Sequence, residues 1–393
     1  MWRIGIDVGG TFTDLVAVDD KGGTTLVKTA STPADPSIGL MQGVQDLAAR
    51  LGQSQRALLA ATERIVHGTT VATNALLERK GARTGLLTTA GHRDILEMRE
   101  GLKEIDRYNL RIPPPEPLVP RHLRLGVTER IRADGRIETP LDIASLDRAI
   151  AGLAREGVEA VAIAFLHAYR NDSHERIAAE RVRSAMPHVH VSSSSEVYPQ
   201  IKEYERILTT IVNAYVGPKV EGYLSRLAGR LASAGYTGPI FIILSHGGVA
   251  PIAEAQRLAA ATVLSGPAGG IVGARRAVAL TGAENLIPFD MGGTSTDIAL
   301  IRRAAPSLAI DRSIAGEKVA LPSLEITTLG AGGGSIARVD AGGVLHVGPE
   351  SAGAVPGPAS YGRGGSEPTV TDANLVLGRL DASGFHGGRL TLD

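Results

Sequence analysis

Short apolar runs alternate with polar and glycine-rich stretches along the chain, and their period predicts the secondary structure. Apolar residues at 4–8 and 14–18, separated by Gly9-Gly10, predict two strands joined by a glycine turn. At 36–51 the apolar side chains recur at helical spacing, which predicts a helix. By the same criteria we predict strands at 64–67, 85–88, 160–166, 188–192 and 240–244, and helices at 172–186, 201–232 and 252–261. Strands that alternate with helices favour an α/β fold whose mostly parallel sheets are covered by helices.

Two stretches interrupt this alternation. Five of the ten residues at 111–120 are proline, so this stretch is not expected to be helical and should lead into an inserted segment around 123–140. The glycine-rich stretch SGPAGG at 265–270 is predicted to be a turn. Two roles for it stay open: a helix N-terminus that receives phosphate, or a tight link into the following helix.

The opening pattern occurs a second time near residue 290. Residues 7–14 are DVGGTFTD and residues 290–297 are DMGGTSTD, so six of eight positions are identical, and each copy lies between two apolar runs. A glycine turn used twice is the simplest explanation, but a turn alone requires neither the aspartate before the glycines nor the threonines after them. The repeat therefore predicts two related lobes with one loop of this kind in each.

The residue types of these loops suit phosphate and magnesium. Adjacent glycines let backbone N–H groups approach phosphate oxygens, and threonine hydroxyls add hydrogen bonds. Mg²⁺ prefers carboxylate oxygens and sheds its water reluctantly, which makes Asp7 and Asp290 its candidate ligands and candidate catalytic residues. The predicted phosphate-binding residues are Gly9, Gly10, Thr11, Thr13, Gly292, Gly293, Thr294 and Thr296. Asp14 and Asp297 also recur, and we expect them to close their own hairpins.

Composition and charge narrow the class of protein. Lys plus Arg and Asp plus Glu are both 41, so no net field favours a nucleic acid or an anionic membrane as partner. The chain has no cysteine, which excludes disulfides, thiolate zinc sites and iron–sulfur clusters. The N-terminus lacks the apolar core of a signal peptide, and the best apolar stretch, 158–166, is far too short for a membrane span. We therefore expect a cytoplasmic protein.

Two facing phosphate loops on related lobes resemble the actin, sugar-kinase and seventy-kilodalton heat-shock ATPase superfamily. That resemblance implies duplicated ribonuclease-H-like lobes, with mixed sheets flanked by helices, that bind Mg-ATP. Because one fold of this kind supports many activities, it implies the cofactors ATP and Mg²⁺ and does not identify the reaction. We expect the spatial boundary between the lobes near 275–284.

Longer segments resemble the hydantoinase A/oxoprolinase family, and they follow in order from 3 to 380. The segments are VHGTTVATNALLERKGARTGLLTT (66–89), EVYPQIKEYERILTTIVNAYV (196–216), LSGPAGGIVGA (264–274), GAGGGSIA (330–337), PGPASYG (356–362) and PTVTDANLVLGRL (368–380). The resemblance divides the chain into an N-terminal region at 1–190 with the first loop and a hydantoinase A-type region at 191–393 with the second.

This family resemblance implies an enzyme that opens a cyclic amide, such as a hydantoin or 5-oxoproline, after phosphorylating its oxygen with ATP. A ketone carboxylase of the acetone or acetophenone type, which uses bicarbonate, uses the same kind of subunit and is the alternative. Either activity implies a second, hydantoinase B-type subunit and hence a hetero-oligomer. A non-catalytic ATPase of the actin or heat-shock type is compatible with the lobes, although it leaves the family-like segments unexplained. Repressor-type sugar kinases and radical-enzyme activases need cysteines, which this chain lacks.

The chain departs from the family pattern in two ways. Ser360 stands where the family commonly has cysteine, so no thiol chemistry is expected there. Family members also continue well beyond the length of this chain, so we expect the second lobe to be incomplete, with exposed apolar side chains at 375–377. The glycine turn that holds adenosine in this superfamily would then lie in the missing part. The alternative within the chain is the turn of Gly332, Gly333, Gly334 and Ser335.

Two further candidates carry weaker signals. His67 lies at a predicted strand-to-helix junction and is a candidate catalytic residue lining the substrate cleft, with a purely structural role as the alternative. The charged residues at 203–206 begin a predicted long helix, where such side chains are usually solvated.

Overall fold

A computed structural model describes residues 1–10, 12–32, 34–99, 108–109, 111–112, 116–310, 312–353, 355–385 and 391–393. Its helices are α1 (Pro36–Arg50), α2 (Gln55–Ala60), α3 (Val71–Leu77), α4 (Ile95–Met98), α5 (Ile143–Arg155), α6 (Ser173–Ala185), α7 (Ser194–Val197), α8 (Glu203–Ser233), α9 (Ile252–Arg257), α10 (Ser265–Thr281) and α11 (Val370–Val376). Single turns of 3₁₀-helix cover Arg121–Leu123, Ala259–Thr262 and Ala359–Tyr361.

The strands are mostly short. They are β1 (Trp2–Val8), β2 (Phe12–Asp19), β3 (Thr24–Ala30), β4 (Thr62–Thr69), β5 (Thr84–Thr89), β6 (Arg124–Val127), β7 (Arg130–Ile131), β8 (Ile137–Thr139), β9 (Ala160–Ala164), β10 (His190–Ser193), β11 (Ile240–Ile243), β12 (Val249–Pro251), β13 (Phe289–Met291), β14 (Thr296–Ala299), β15 (Ile301–Arg302), β16 (Ala305–Pro306), β17 (Leu308–Ala309), β18 (Arg312–Ile314), β19 (Glu317–Val319), β20 (Ser323–Leu324), β21 (Ile326–Leu329), β22 (Ser335–Val339) and β23 (Leu345–Ser351). The predicted α/β class, with sheets flanked by helices, is confirmed.

Helix α1 shows why the sequence pattern predicted its position so closely. Asp35 accepts a hydrogen bond from the Ser37 N–H as the N-cap residue, and Pro36 follows at the first helical position, where its missing N–H costs nothing. Its apolar stripe, which includes Leu40 and Val44, is completely buried against β2 and β3.

The chain forms two compact units. Unit 1 comprises residues 1–68, 266–308 and 324–393, and unit 2 comprises residues 69–265 and 309–323. Both units are therefore discontinuous in sequence. The predicted division at 190/191 and the predicted lobe boundary near 275–284 stay predictions.

Unit 1 contains both copies of the repeated sequence. The first copy lies in strands β1, β2 and β3, which pair in antiparallel order, with β4 on the other side of β1. Its inward side chains, among them Ile4, Ile6 and Leu15, are buried. The second copy lies in a separate antiparallel sheet in the order β13-β14-β21.

Unit 2 is built on a four-stranded sheet in the order β10-β9-β5-β6, in which every neighbouring pair is parallel. Strand β9 is buried along its whole length, as expected for a parallel strand with covered faces. Its core continues into α8 through Ile207, Leu208 and Ile211.

Two sequence predictions need correction. The predicted turn at 265–270 is the first part of α10, since Pro267 lies within the first turn, where a helix needs no N–H from it. The charged side chains at 203–206 were expected to be solvated at the start of α8, but every residue from Tyr204 to Gly217 is buried, because α8 packs on several elements of unit 2 at once.

Within the described parts of the chain, no helix is both apolar and long enough to cross a bilayer.

Of the apolar side chains expected to be exposed near the C-terminus, Val376 and Leu377 are exposed and Leu375 is half-buried.

Candidate functional site

Both copies of the repeated sequence form antiparallel hairpins with the same register. In β1–β2, Asp7 pairs with Asp14, and in β13–β14, Asp290 pairs with Asp297. The first aspartate of each copy is therefore the last but one residue of its strand, close to the loop. The sequence repeat is also a structural repeat.

One backbone hydrogen bond closes each loop in the same way. The Gly9 N–H donates to the Phe12 carbonyl at 2.9 Å, and the Gly292 N–H donates to the Ser295 carbonyl at 2.9 Å. The two loops thus share their internal geometry as well as their register.

The glycine pairs do not serve the turn conformation. None of Gly9, Gly10, Gly292 and Gly293 has a positive φ, so a residue with a side chain could adopt these backbone angles. A Cβ added at Gly10 or Gly293 would meet no protein atom within 4 Å, so the space beside each of these glycines is open. This arrangement leaves room for a ligand to approach the backbone, as phosphate does in glycine-rich loops.

The second aspartate of each copy is bound by the third strand of its sheet. Both carboxylate oxygens of Asp14 accept from Lys28 Nζ at 2.8 Å, and Asp297 Oδ1 accepts from the Thr328 hydroxyl at 2.6 Å. Lys28 and Thr328 pair with these aspartates in the strand register. Asp14 and Asp297 therefore tie their hairpins to the third strand of each sheet, whereas the sequence had suggested a contact within each hairpin.

The carboxyl group of Asp7 has a strongly raised pKa. By surface area Asp7 is an exposed residue, but many protein atoms surround its carboxyl group and desolvate it. Burial, followed by the charges of Asp14 and Asp290, raises the pKa of Asp7 to about 6, and Lys28 offsets only part of this effect. The carboxylates of both hairpins are therefore close enough to repel each other.

These residues fit a divalent cation, because it would relieve the repulsion between Asp7 and Asp290 and prefers carboxylate oxygens. Among the described residues, no group of three or more acidic or histidine side chains forms a cage for a metal ion. Mg²⁺ commonly keeps several waters and uses one or two carboxylates together with phosphate oxygens. The two aspartates match that kind of site. Their role as ligands stays a prediction.

The first turn of α10 lies beside Asp7. A Cβ added at Gly266 would come within 3.1 Å of Asp7 Oδ1. Glycine at this position therefore allows the helix N-terminus to approach the carboxylate closely. Of the two roles left open for 265–270, the structure favours a helix N-terminus at the candidate phosphate site.

Two of the threonines that recur in both loops make contacts within the chain. The buried Thr13 hydroxyl lies 3.0 Å from the Ser31 hydroxyl, which donates to the Gly9 carbonyl at 2.8 Å. The buried Thr296 hydroxyl donates to the Ala331 carbonyl. Both hydroxyls thus tie their loop to the chain leaving the third strand.

The other two threonines, Thr11 and Thr294, directly follow the glycine pairs. Thr294 is exposed beside the open space at Gly293, where a phosphate oxygen could reach it. Thr11 lies outside the described residues, so its predicted contact stays a prediction.

The glycine turn at 332–335 lies against the second loop. The N–H groups of Gly333 and Gly334 donate to the carbonyls of Gly292 and Gly293 at 2.9 and 2.6 Å. Within the turn, the Gly332 N–H donates to the Ser335 hydroxyl and the Ser335 N–H to the Gly332 carbonyl. All four backbone donors are used inside the chain, and the turn braces the second loop. Its predicted contact with adenosine stays a prediction.

His67 is fully buried below the first hairpin. Its Nδ1 lies 3.4 Å from the Ile6 carbonyl of β1. Burial lowers the pKa of His67 to about 4, so the ring is neutral at physiological pH. The geometry favours the structural alternative over a position in a substrate cleft, and a catalytic role stays an untested prediction.

A cavity of about 280 Å³ lies between α10 and the second hairpin. Its polar lining includes Asp290 and Asp297, and apolar side chains such as Ile271, Phe289 and Ile298 complete it. A mostly apolar cavity beside a candidate phosphate loop suits the flat, apolar faces of a nucleotide base.

Several contributors to this site were not predicted from the sequence. Ser31 and Ala331 anchor the loop threonines, and the residue type alone gives no signal for either role. Ser360 was singled out for its chemistry; it is buried, and its N–H donates to Asp372 Oδ1 at 2.8 Å.

Comparison with known proteins places these features in a family. Residues 3–186 match the family model described as hydantoinase/oxoprolinase N-terminal region, and residues 206–393 match that described as hydantoinase/oxoprolinase. The chain is 44% identical to the caprolactamase subunit alpha of Pseudomonas jessenii, over 100% of this chain and 56% of that one. It is 36% identical to the acetophenone carboxylase gamma subunit of Aromatoleum aromaticum, over 99% and 55%.

The solved structures agree with the sequence comparisons. The nucleotide-free structure of acetone carboxylase matches with a TM-score of 0.87 and 32% identity, covering 100% of this chain and 56% of that one. The chain thus spans about half the length of these relatives, and the match confirms the actin-like ATPase type of fold. The two family models together cover most of this chain, and the relatives match along its whole length. The chain therefore belongs to the hydantoinase/oxoprolinase family.

Proposed function

We propose that this chain is the ATP-binding part of an enzyme that opens a cyclic amide. The observation that carries the proposal is the pair of hairpins with identical register, each with an aspartate beside an open glycine. Asp7 and Asp290 would hold Mg²⁺ between them. Gly10 and Gly293 would admit the phosphates, and the start of α10 would add backbone N–H groups.

Mg-ATP would supply a phosphoryl group that turns the amide oxygen into part of a good leaving group. The chain's own contribution is positioning and charge neutralisation, which dominate phosphoryl transfer. In this proposal Asp7 and Asp290 set the position of the cation. The braces at Ser31 and at 332–335 keep each loop rigid.

The choice of a cyclic amide rests on the relatives. The caprolactamase subunit is 44% identical, against 36% for the acetophenone carboxylase subunit. A ketone carboxylase is the second candidate, because the acetone carboxylase structure matches over the whole chain. Since these relatives are named as subunits, we also propose a hetero-oligomer with a hydantoinase B-type partner.

The decisive experiment compares nucleotide binding and substrate use. Isothermal titration calorimetry of the 393-residue chain should show Mg-ATP binding that is abolished in a variant carrying both Asp7→Asn and Asp290→Asn. The assembled enzyme should hydrolyse ATP in the presence of caprolactam, hydantoin or 5-oxoproline. ATP use that depends only on acetone or acetophenone with bicarbonate would establish the carboxylase instead, and unchanged binding by the double variant would refute the site.

A further inference from the structure

A second polar cluster lies in unit 2, at the carboxyl ends of the parallel strands β5, β6 and β9. The sheet order places β6 on one side of β5 and β9 on the other, so the strand order reverses at β5. Ligands of open α/β sheets bind outside the carboxyl ends of the strands at such a reversal. The residues that follow the strand ends and interact electrostatically are His92, Glu129, Arg130, His167 and Tyr169, joined by Glu203 and Arg206 from the start of α8.

A buried frame holds the strand ends together. The Thr89 hydroxyl donates to Glu129 Oε1 and accepts from the Leu166 N–H at 2.9 Å, which links the ends of β5 and β9. The other carboxylate oxygen, Glu129 Oε2, lies 2.8 Å from His174 Nδ1. All three side chains, Thr89, Glu129 and His174, are buried. Both oxygens of Glu129 therefore have partners inside the frame.

Next to this buried frame lie two arginines and two histidines of the cluster, and the arginines supply its positive charge. Arg130 Nη1 lies 3.1 Å from His92 Nε2, and because arginine only donates, His92 accepts there and carries its proton on Nδ1. Burial, followed by the charge of Arg130, lowers the pKa of His92. Burial, followed by the charges of Arg206 and Arg130, lowers the pKa of His167. Both imidazoles are therefore neutral at physiological pH, and the positive charge belongs to the guanidinium groups.

Arg206 supplies the observation that points to a ligand. Its side chain is 1% exposed, and its guanidinium carbon lies 5.3 Å from the centre of the Tyr169 ring. Nη1 donates to the Gln200 carbonyl at 3.0 Å and Nη2 to the Phe165 carbonyl at 3.2 Å. The third nitrogen, Nε, is buried without a hydrogen-bond partner among the described residues. A buried guanidinium donor without an acceptor is costly, unless a ligand supplies one.

We propose that this strand-end cluster of unit 2 binds a small molecule through its carboxylate, with Arg130 and Arg206 as the recognising residues. Guanidinium groups match the two oxygens of a carboxylate in charge and geometry. The exposed Glu203 at the rim disfavours larger anions of higher charge, such as phosphate esters. This site lies within unit 2 and does not depend on the proposed nucleotide site of unit 1.

The test uses a matched pair of probes. 5-Oxoproline and 2-pyrrolidinone share the same lactam ring, and only the first carries a carboxylate. Calorimetry and histidine-ring NMR are carried out on the 393-residue chain without nucleotide. They should show that 5-oxoproline binds at least about tenfold more tightly than 2-pyrrolidinone. Acetate and bicarbonate should compete with it, and their relative strengths distinguish an organic carboxylate from bicarbonate as the ligand.

Substitutions of single arginines test whether 5-oxoproline binds at the strand-end cluster. Arg130→Gln should weaken 5-oxoproline binding about tenfold, and Arg206→Lys should weaken it while retaining the charge. Arg83→Gln is the control, since Arg83 is half-exposed, pairs with Glu156 and precedes β5 at the opposite edge of the sheet. Equal binding of the two ring compounds would overturn the proposal. So would a folded Arg130→Gln chain that binds as the native chain does, or an equal loss in Arg83→Gln.

Discussion

The two hairpins of unit 1 share sequence and register but differ in how the protein supports them. The first is part of a sheet whose inner side chains are buried below α1. In the second, all three residues of β13 are exposed, and Phe289 is 61% accessible. The loop geometry is thus encoded locally by the repeated octapeptide, whereas stability comes from surroundings that the two copies do not share.

The braces of the two loops differ in the same way. The carbonyl of Gly9 accepts from the Ser31 side chain, whereas the carbonyl of Gly292 accepts from the backbone of Gly333. The Ser31 hydroxyl can be removed by a conservative substitution, whereas only proline removes a backbone N–H. The two loops should therefore respond differently to substitution of their braces.

The largest effect is expected from Asp7 and Asp290, which lie near the ends of β1 and β13. Asp7→Asn or Asp290→Asn in the assembled enzyme should reduce ATP turnover on the order of a hundredfold, because each removes one charge from the cation site. Asp19→Asn, at the far end of the first hairpin, is the control and should retain turnover. Loss in only one of the two aspartate variants would show that the hairpins are not functionally equivalent.

The brace of the second loop is the next target. A Cβ at Gly332 would lie 2.7 Å from the Gly292 carbonyl and from the N–H groups of Thr294 and Ser295. Gly332→Ala should therefore lower the free energy of unfolding by about 1–3 kcal/mol, as measured by urea denaturation. Gly293→Ala is the matched control, since its added methyl group meets no protein atom. That control should leave stability unchanged but weaken Mg-ATP binding.

The raised pKa of Asp7 predicts a pH dependence confined to the first hairpin. An acid whose pKa is raised in the folded state binds its proton more tightly there, so stability falls as pH rises from about 4 to about 6. With solvent screening the loss is about 1 kcal/mol, and Asp7→Asn should remove it. Denaturation midpoints of native and variant chains at pH 4.5 and 7 measure the difference. Saturating Mg²⁺ should also remove it, and a parallel pH response in both chains would contradict the assignment.

The smallest effect is expected at the brace of the first loop. Ser31→Ala removes the hydrogen bond to the Gly9 carbonyl and the neighbour of the Thr13 hydroxyl, at a cost of about 1 kcal/mol. Ser31→Thr keeps the hydroxyl and should restore most of this loss, as measured by thermal unfolding. If Ser31→Ala costs as much as Gly332→Ala, the two braces are equivalent despite their different chemistry.

Most of the regular structure could be predicted from local pattern. Helix α1 and strand β5 lie within a residue of their predicted limits, because periodicity and caps act over a few residues. The repeat predicted two hairpins of one type, and their registers agree. Chemistry that depends on one short segment was therefore predictable.

The start of α10 and the start of α8 were not predictable in this way. Glycines and a proline at 265–270 indicate a turn locally, but the close approach of Gly266 to Asp7 is a tertiary contact. Arg206 was expected to be solvated at a helix start, yet it is buried under the end of β9. The local sequence around Gly266 or Arg206 gives no signal for either contact.

By itself, the sequence determined the fold class, the family and the two loops with their aspartates, because each depends on residues that are neighbours along the chain. Only the tertiary structure decided that Asp7 lies close to Asp290, that His67 is buried, and that the turn at 332–335 braces a loop. The physical reason is that burial and charge act through space. A pKa shift or an occupied N–H group depends on partners that can lie hundreds of positions away in the chain.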